Sequence, residues 1–195
     1  MPPFLLRFHA DILDWVGGRM WLPRVFVLLF IAYIGYQQLL HPMDWNLIAG
    51  VNLPIHELGH VITRPFGEFI CVAGGTLTQL AFPLIAIGMF LRQRDYFGIS
   101  FALAWLSTNM IGVGIYMADA NVLALDLVSV GGGDGEIIHD WHYLFGKMGL
   151  LSASGGLGKL MGVCGHLTMI AALAFGAWII FEMYRNPTPK PRTLM

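Results

Sequence analysis

The chemistry-bearing stretch of this 195-residue chain is His56-Glu57-Leu58-Gly59-His60, which fits the pattern H-E-x-x-H. Two histidines four residues apart lie on one face of a helix, one turn from each other. Both imidazoles can therefore bind a single metal ion. The glutamate between them lies beside that metal, where its carboxylate can take a proton from water. The pattern predicts a zinc site with Glu57 as general base.

The residues around this stretch are apolar, since Val61, Ile62 and Phe66 follow it. Ionisable groups are energetically unfavourable in an apolar setting and usually have a functional role there. We therefore favour a metal site over two hydrogen-bonded core histidines. Pro54 precedes the first histidine and suits the first turn of a helix. We expect that helix to run from about Leu53 to Phe66.

The composition is that of a polytopic membrane protein. Hydrophobic residues make up 56% of the chain and charged residues 12%, whereas soluble domains carry about 25% charged residues. At roughly 20 residues per span, the length allows about five to six membrane helices. We predict an all-α membrane protein with these helices around an intramembrane metal site. The net charge of −1 gives no indication of nucleic-acid binding.

The chain divides into three predicted parts. Residues 1–22 mix apolar and charged side chains, which predicts an amphipathic helix at the membrane interface. Residues 23–184 form one helical membrane domain, whose first span runs from about Pro23 to Leu40. That span acts as its own insertion signal, because no cleavable signal peptide is visible. Residues 185–195 form a basic, proline-rich tail that we expect to be flexible.

Further helices are expected in the second part of the chain. The first covers residues 67–93, with an irregular start at 71–75 that includes the glycine pair Gly74-Gly75, and the second covers 97–118. The third covers 140–151 with Asp140 as N-cap, and the last covers 160–184 after a Gly/Ser loop at 152–158. Basic residues do not settle the orientation if every segment crosses the membrane. Arg92, Arg94 and Arg185 then fall on the opposite side from the basic residues that precede the first span.

A catalytic zinc site usually has three protein ligands and a water, so two histidines leave one ligand to be found. The side chains of suitable type are Asp140, His139, His142, Asp134 and Asp119. Asp140 is our first choice and His139 our second, because they lie in the densest group of ligand-type residues after the motif. If Asp140 ligates, we expect His139 or His142 to orient it or a substrate group. If His139 ligates, we expect Asp140 to hold its other ring nitrogen. An interfacial helix cap is the alternative for this cluster.

Two amides in apolar segments need hydrogen-bond partners. Gln79 either serves the metal site, by orienting a ligand or holding a substrate carbonyl, or makes an interhelical hydrogen bond. Asn109 is the second amide that could contact a substrate or an oxyanion. His9 is predicted to lie on the polar face of its helix, because nothing pairs with it at helical spacing. His166, Cys71 and Cys164 are predicted to be packed side chains, because they too lack partners at metal-ligand spacing.

The motif in an apolar helix resembles the site-2-protease class of intramembrane zinc metallopeptidases, the M50 group. In that group the H-E-x-x-H helix supplies two histidines and the general-base glutamate, which correspond here to His56, His60 and Glu57. A later Asp-Gly motif supplies an aspartate ligand in that group. Asp134-Gly135 has the same two residues here, but the usual Asn-Pro does not precede them.

The sequence also resembles an uncharacterised M50-like bacterial membrane branch. This resemblance rests on the glycine pair at 74–75, on Gln79 and Pro83, and on the His-Asp-Trp sequence at 139–141. It favours Asp140 as the third ligand. It implies a Zn²⁺ cofactor, a multi-pass protein of the bacterial inner membrane, and a membrane-embedded or membrane-proximal protein or peptide substrate.

Two other functions fit part of this pattern. A non-proteolytic zinc-binding membrane scaffold or pseudo-protease would hold the metal without hydrolysing peptides, but mere binding does not require Glu57. A transporter with a metal site in mid-membrane is a third class. It is less favoured, because transporters often show paired halves and no internal repeat is visible in the chain.

Overall fold

Helices are the only regular elements in the residues that the computed structural model describes, which are 3–44, 46–126 and 139–188. The helices are α1 (Pro3–Val16), α2 (Leu22–Leu40), α3 (Leu47–Thr63), α4 (Glu68–Gln93), α5 (Tyr96–Asp119), α6 (Asp140–Met148) and α7 (Ser154–Arg185). Short 3₁₀ turns, Arg64–Phe66 and Leu151–Ala153, precede α4 and α7. The predicted all-α class is confirmed.

Four segments are long and apolar enough to cross a membrane: α2, α4, α5, and α7 together with the turn before it. The predicted count of five to six spans is therefore not confirmed within the described residues. The helix that carries the motif, α3, has 17 residues, and α6 has 9. Both short helices pack against the longer ones, which suits elements that position side chains rather than cross a bilayer alone.

The motif helix α3 begins earlier than predicted, because Asn46 caps it. The Asn46 side chain accepts a hydrogen bond of 2.9 Å from the backbone N–H of Ala49, which satisfies one of the free donors of the first turn. Pro54 consequently lies inside the helix, and its predicted place in the first turn is wrong. A proline there removes one backbone hydrogen bond from the helix.

The glycine pair of α4 lies within a continuous helix, so the predicted irregular start of this element is wrong. The pair allows α3 and α4 to touch through their backbones. A Cβ on Gly59 would meet the carbonyl oxygen of Gly74, and a Cβ on Gly74 would lie 2.8 Å from the carbonyl oxygen of Gly59. Only residues without a side chain permit this contact, and it brings the motif against α4.

Among the four candidate spans, α5 is the most buried, and it packs along α7. Ser100 and Ser107 of α5 each donate a hydrogen bond of 2.7 Å to a backbone carbonyl of α7. Small residues and interhelical hydroxyl hydrogen bonds are typical of membrane helix contacts. Gly158 faces Gly114 of α5 across this contact. Gly158 lies within the first turns of α7, so the predicted Gly/Ser loop at 152–158 is a 3₁₀ turn and the start of a helix.

Helix directions follow from which residues meet. Thr63 of α3 lies near Cys71 of α4 and His56 lies near Gln79, so these two helices are antiparallel. A short connection joins α4 to α5, and α5 runs antiparallel to α4. Helices α2 and α5 both run antiparallel to α7, since partner numbers in α7 fall as theirs rise. Helices α2, α3 and α5 therefore share one direction.

The bundle has two distinct ends. At the end that we call the α1 end, Ile12 and Val16 of α1 are buried against the start of α5 and the last part of α7, including Ile179 and Met183. The predicted amphipathic segment is thus a helix with one face packed on the bundle. At the opposite end, which we call the α6 end, α6 packs on α4 and α5, near the start of α7.

Replacing Gly158 with Ala is expected to destabilise the fold by about 1–3 kcal/mol, because the added Cβ overpacks a rigid backbone contact. That Cβ would lie 2.6 Å from the backbone nitrogen of Ala118. The matched control is Gly162→Ala on the same helix, where an added Cβ meets nothing within 4 Å. Denaturant titration followed by circular dichroism should show a lower midpoint for Gly158→Ala only. Equal midpoints for the two variants would contradict the α5–α7 packing.

Candidate metal centre

The structure brings three ligand-type side chains together at the α6 end. His56 and His60 come from consecutive turns of α3, and Asp140 is the first residue of α6. Asp140 Oδ2 lies 2.9 Å from Nε2 of His56 and 3.3 Å from Nε2 of His60. One ligand atom from each residue lies within 4.8 Å of the others. Residues 84 positions apart therefore converge on one point.

The other ring nitrogen of each histidine has a partner. His56 Nδ1 lies 3.0 Å from Gln79 Oε1, and His60 Nδ1 lies 2.9 Å from the carbonyl oxygen of Cys71. Both partners are acceptors, so each Nδ1 carries the hydrogen and donates it. The lone pair of each ring is then on Nε2, which faces Asp140. Such a partner on the far nitrogen is what orients a metal-binding histidine.

Asp140 is available as an anionic ligand. Burial acts to raise the pKa of its carboxyl, but the hydrogen bonds with His56 and His60 outweigh burial and leave that pKa below its usual value. Without a cation, each of these contacts requires a proton on Nε2. A metal ion would replace those protons, because ligands bind metal in their deprotonated form.

The donor set and the space around it fit zinc. Bonds of about 2.0–2.2 Å in a tetrahedral zinc site place ligand atoms roughly 3.3–3.5 Å apart, close to the spacings between Asp140 and the two rings. Gly75 of α4 leaves the space beside the rings open. A Cβ there would lie 2.5 Å from Nε2 of His56 and 2.6 Å from Nε2 of His60.

His139 belongs to a different group. Its Nδ1 accepts a hydrogen bond of 3.2 Å from the backbone N–H of His142, and its Nε2 lies 3.2 Å from Oδ2 of Asp119. His142 in turn donates through Nδ1 to the carbonyl oxygen of Ala120 at 2.8 Å. His139 thus caps α6, and the predicted N-cap role of Asp140 is wrong. These contacts fasten the start of α6 to the end of α5.

The other predicted residues are placed as follows. Asp119 also accepts hydrogen bonds from two backbone N–H groups after α5, so its carboxylate is committed to the chain turn. Asn109 is fully buried and donates to the carbonyl oxygen of Trp105 in its own helix, so the structure does not bring it to the three ligands. Gln79 contacts His56 rather than open space. Asp134 lies outside the described residues.

Glu57 lies beside the three ligands and is partly exposed. Its negative charge acts on both His60 and Tyr116. Within residues 3–44, 46–126 and 139–188, no side chain or backbone group donates a hydrogen bond to its carboxylate. A carboxylate at the edge of a metal centre with unused acceptor capacity is suited to take a proton from water.

Two residues of this region carry no local sequence signal for a role at the site. Gly75 is visible in the sequence only as half of a glycine pair, because its place against both rings depends on how α3 and α4 pack. Tyr116 lies one turn before the end of α5, and its hydroxyl accepts a hydrogen bond of 3.0 Å from the backbone N–H of Asp140. Its ring centroid is 6.4 Å from that of His56.

The assembled group could hold one metal ion. The side chains of His56 and His60 are 13% and 23% exposed, and that of Asp140 is 9% exposed, so the two rings remain partly accessible. Comparisons with protein-family models, curated proteins and solved structures found no match for this chain. The chemical character of the site therefore follows from its own residues.

Replacing Gly75 with Ala is expected to weaken zinc binding about tenfold or more, since the added methyl group would occupy the space between the two Nε2 atoms. Gly88→Ala on the same helix is the control, because an added Cβ there meets nothing within 4 Å. Competition with a chelating dye measures both affinities. Unchanged zinc affinity in Gly75→Ala would show that the ion does not bind at this point.

Replacing Gln79 with Ala tests which of its predicted roles applies. If Gln79 orients His56, zinc affinity should fall about 10–100-fold, as is typical when such a partner is lost. The same dye competition measures it, with Gln93→Ala at the far end of α4 as control. Full zinc affinity combined with impaired substrate turnover would instead assign Gln79 to substrate contact.

Proposed function

We propose that this chain is a zinc-dependent membrane metallopeptidase, as the resemblance to the M50 group implies. The observation that carries the proposal is the position of Asp140. Its carboxylate meets both histidines of the H-E-x-x-H sequence, which completes the three-ligand set that catalytic zinc sites have. Glu57, between the two histidines, lies beside that set.

The residues of the site have separate roles in the proposed reaction. His56, His60 and Asp140 would hold Zn²⁺, which when bound supplies a Lewis acid and a water of lowered pKa. Glu57 takes a proton from the water as the water oxygen attacks the carbonyl carbon of the peptide. Glu57 then gives that proton to the leaving amine as the carbon–nitrogen bond breaks. The carboxylate returns to its starting state.

Tyr116 is suited to stabilise the charge that develops on the substrate. Its hydroxyl oxygen accepts a hydrogen bond from the backbone of Asp140, which leaves the hydroxyl hydrogen free to donate. A donor directed at the carbonyl oxygen of the substrate stabilises the negative charge that forms there. Tyr116 fills this role better than Asn109, which is fully buried. The Gln79 Oε1 atom lies 3.0 Å from Nδ1 of His56, which favours a positioning role for Gln79 over an oxyanion role.

The substrate class follows from the accessibility of peptide bonds. The backbone amides of a membrane helix are hydrogen-bonded within that helix, so a peptide bond must be released from helical structure before water can attack it. We therefore propose membrane proteins or peptides with an extended or helix-destabilised segment at the membrane surface. The resemblance points to the bacterial inner membrane as the location. A non-proteolytic zinc-binding scaffold is the competing function, and the test below separates the two.

Replacing Glu57 with Gln should preserve zinc binding and abolish cleavage, because the amide keeps the shape of the side chain but cannot take the proton. Cells that express the wild-type chain should show new protein N-termini in their membranes, detected by N-terminal labelling and mass spectrometry. Those N-termini should be missing with Glu57→Gln. Glu182→Gln, near the end of α7, is the control and should match the wild type.

Zinc content, measured by plasma mass spectrometry on the purified variants, checks that the site is intact. One zinc per chain in all three proteins, with cleavage lost only in Glu57→Gln, supports the peptidase. Identical sets of N-termini for wild type and Glu57→Gln, with zinc bound in both, would refute it and favour the scaffold.

A further inference from the structure

The basic residues of the chain are unequally divided between the two ends of the bundle. Most of the described ones lie at the α1 end: Arg7, Arg19, Arg24, Arg92, Arg94 and Arg185. Arg64, Lys147 and Lys159 lie at the α6 end. Lys190 and Arg192 follow Arg185 in the sequence, beyond the described residues.

Direct contacts show that the basic segments share one end. The Arg24 guanidinium lies 5.9 Å from the ring of Phe97 at the start of α5. Just before α2, the Trp21 ring lies 5.7 Å from that of Tyr184 near the end of α7. The backbone N–H of Gly18 donates to the carbonyl oxygen of Asn186 at 3.0 Å. The segments before α2, between α4 and α5, and after α7 therefore meet.

The parallel course of α2 and α3 explains why the sequence did not reveal this. If every segment crossed in turn, the arginines between α4 and α5 would lie opposite those before α2. Because α2 and α3 run in the same direction, α3 does not bring the chain back to the α1 end, and α4 is the helix that returns it. The segments before α2, between α4 and α5, and after α7 then lie on one side of the membrane. The excess of basic residues therefore indicates a single orientation.

The candidate metal centre lies at the other end. Tyr116 and the residues that fasten α6 are at the last turn of α5. His60 is near the end of α3, and its Nδ1 partner Cys71 is in the first turn of α4. The end of α5 and the start of α4 are thus the ends opposite to those where these two helices meet the arginines of the α1 end.

Lysine and arginine near the ends of membrane helices favour the cytoplasmic side, and this bias sets orientation. We propose that the α1 end faces the cytoplasm and that the candidate metal centre opens to the opposite side of the membrane. On the proposed function, the peptide bonds that the enzyme cuts lie at the non-cytoplasmic surface. Its substrates would then be membrane proteins with a cleavable segment in the periplasm or an equivalent compartment, rather than in the cytoplasm.

Cysteine labelling on the full chain tests this orientation. Two single-cysteine variants are made in a Cys71→Ala, Cys164→Ala background: Val122→Cys in the turn after α5 and Gln93→Cys at the end of α4. The Val122 side chain is 71% exposed, that of Gln93 is also exposed, and neither change alters a charge. A sulfonated maleimide that does not cross membranes is applied to bacterial spheroplasts, before and after lysis. Retained zinc binding confirms that each variant is folded.

The proposal predicts labelling of Val122→Cys in intact spheroplasts and of Gln93→Cys only after lysis. The reverse pattern, or equal labelling of both before lysis, would overturn it. The labelling does not depend on catalysis, so it separates the two proposals. If Glu57→Gln showed that the chain is not a peptidase, the orientation given by the labelling would still hold. If the labelling pattern were reversed, the effect of Glu57→Gln on cleavage would still hold.

Discussion

The approach of one carboxylate to two imidazoles is the interaction on which the rest of this structure depends. Asp140 is buried, and its Oδ2 lies within 3.3 Å of Nε2 on both His56 and His60. Burying an ionised carboxylate without a partner is costly, and two neutral imidazoles with their lone pairs facing it do not remove that cost. Protons on the two rings, or a cation at the meeting point of the three donors, would offset that cost. On the proposed function the cation takes this place, and the three side chains are its ligands.

Two packing contacts bring these groups together, and each uses small or polar residues for a specific purpose. The close approach of Gly59 and Gly74 brings α3 against α4, so that the carbonyl of Cys71 and the amide of Gln79 reach the histidines. The pair His139 and Asp119 fastens α6 to the end of α5, so that Asp140 is held at the first residue of its helix. The two halves of the site thus come from separate parts of the bundle.

Part of this site could be predicted from the sequence, because some of its signals are local. The spacing of His56 and His60 places them on one helix face in any packing, and Asp140 lay within the densest group of ligand-type residues. The choice between Asp140 and its neighbour His139 needed the structure, since it depends on which side chain Asp119 binds. The role of Gly75 and the shared direction of α2 and α3 arise from contacts between helices distant in sequence. No local pattern encodes them.

The most direct test of the central claim is the coordination of the metal itself. X-ray absorption spectroscopy at the zinc edge, on the purified zinc-loaded chain, reports the type and distance of the ligand atoms. A site built from His56, His60 and Asp140 gives two imidazole nitrogens and oxygen ligands at about 2.0–2.2 Å, with no sulfur. Replacing Asp140 with Ala should leave both nitrogens and lower the zinc affinity, because a water fills the vacated position but does not hold the ion as a carboxylate does. A spectrum with a third imidazole or with sulfur, or a zinc affinity unchanged by Asp140→Ala, would contradict this ligand set.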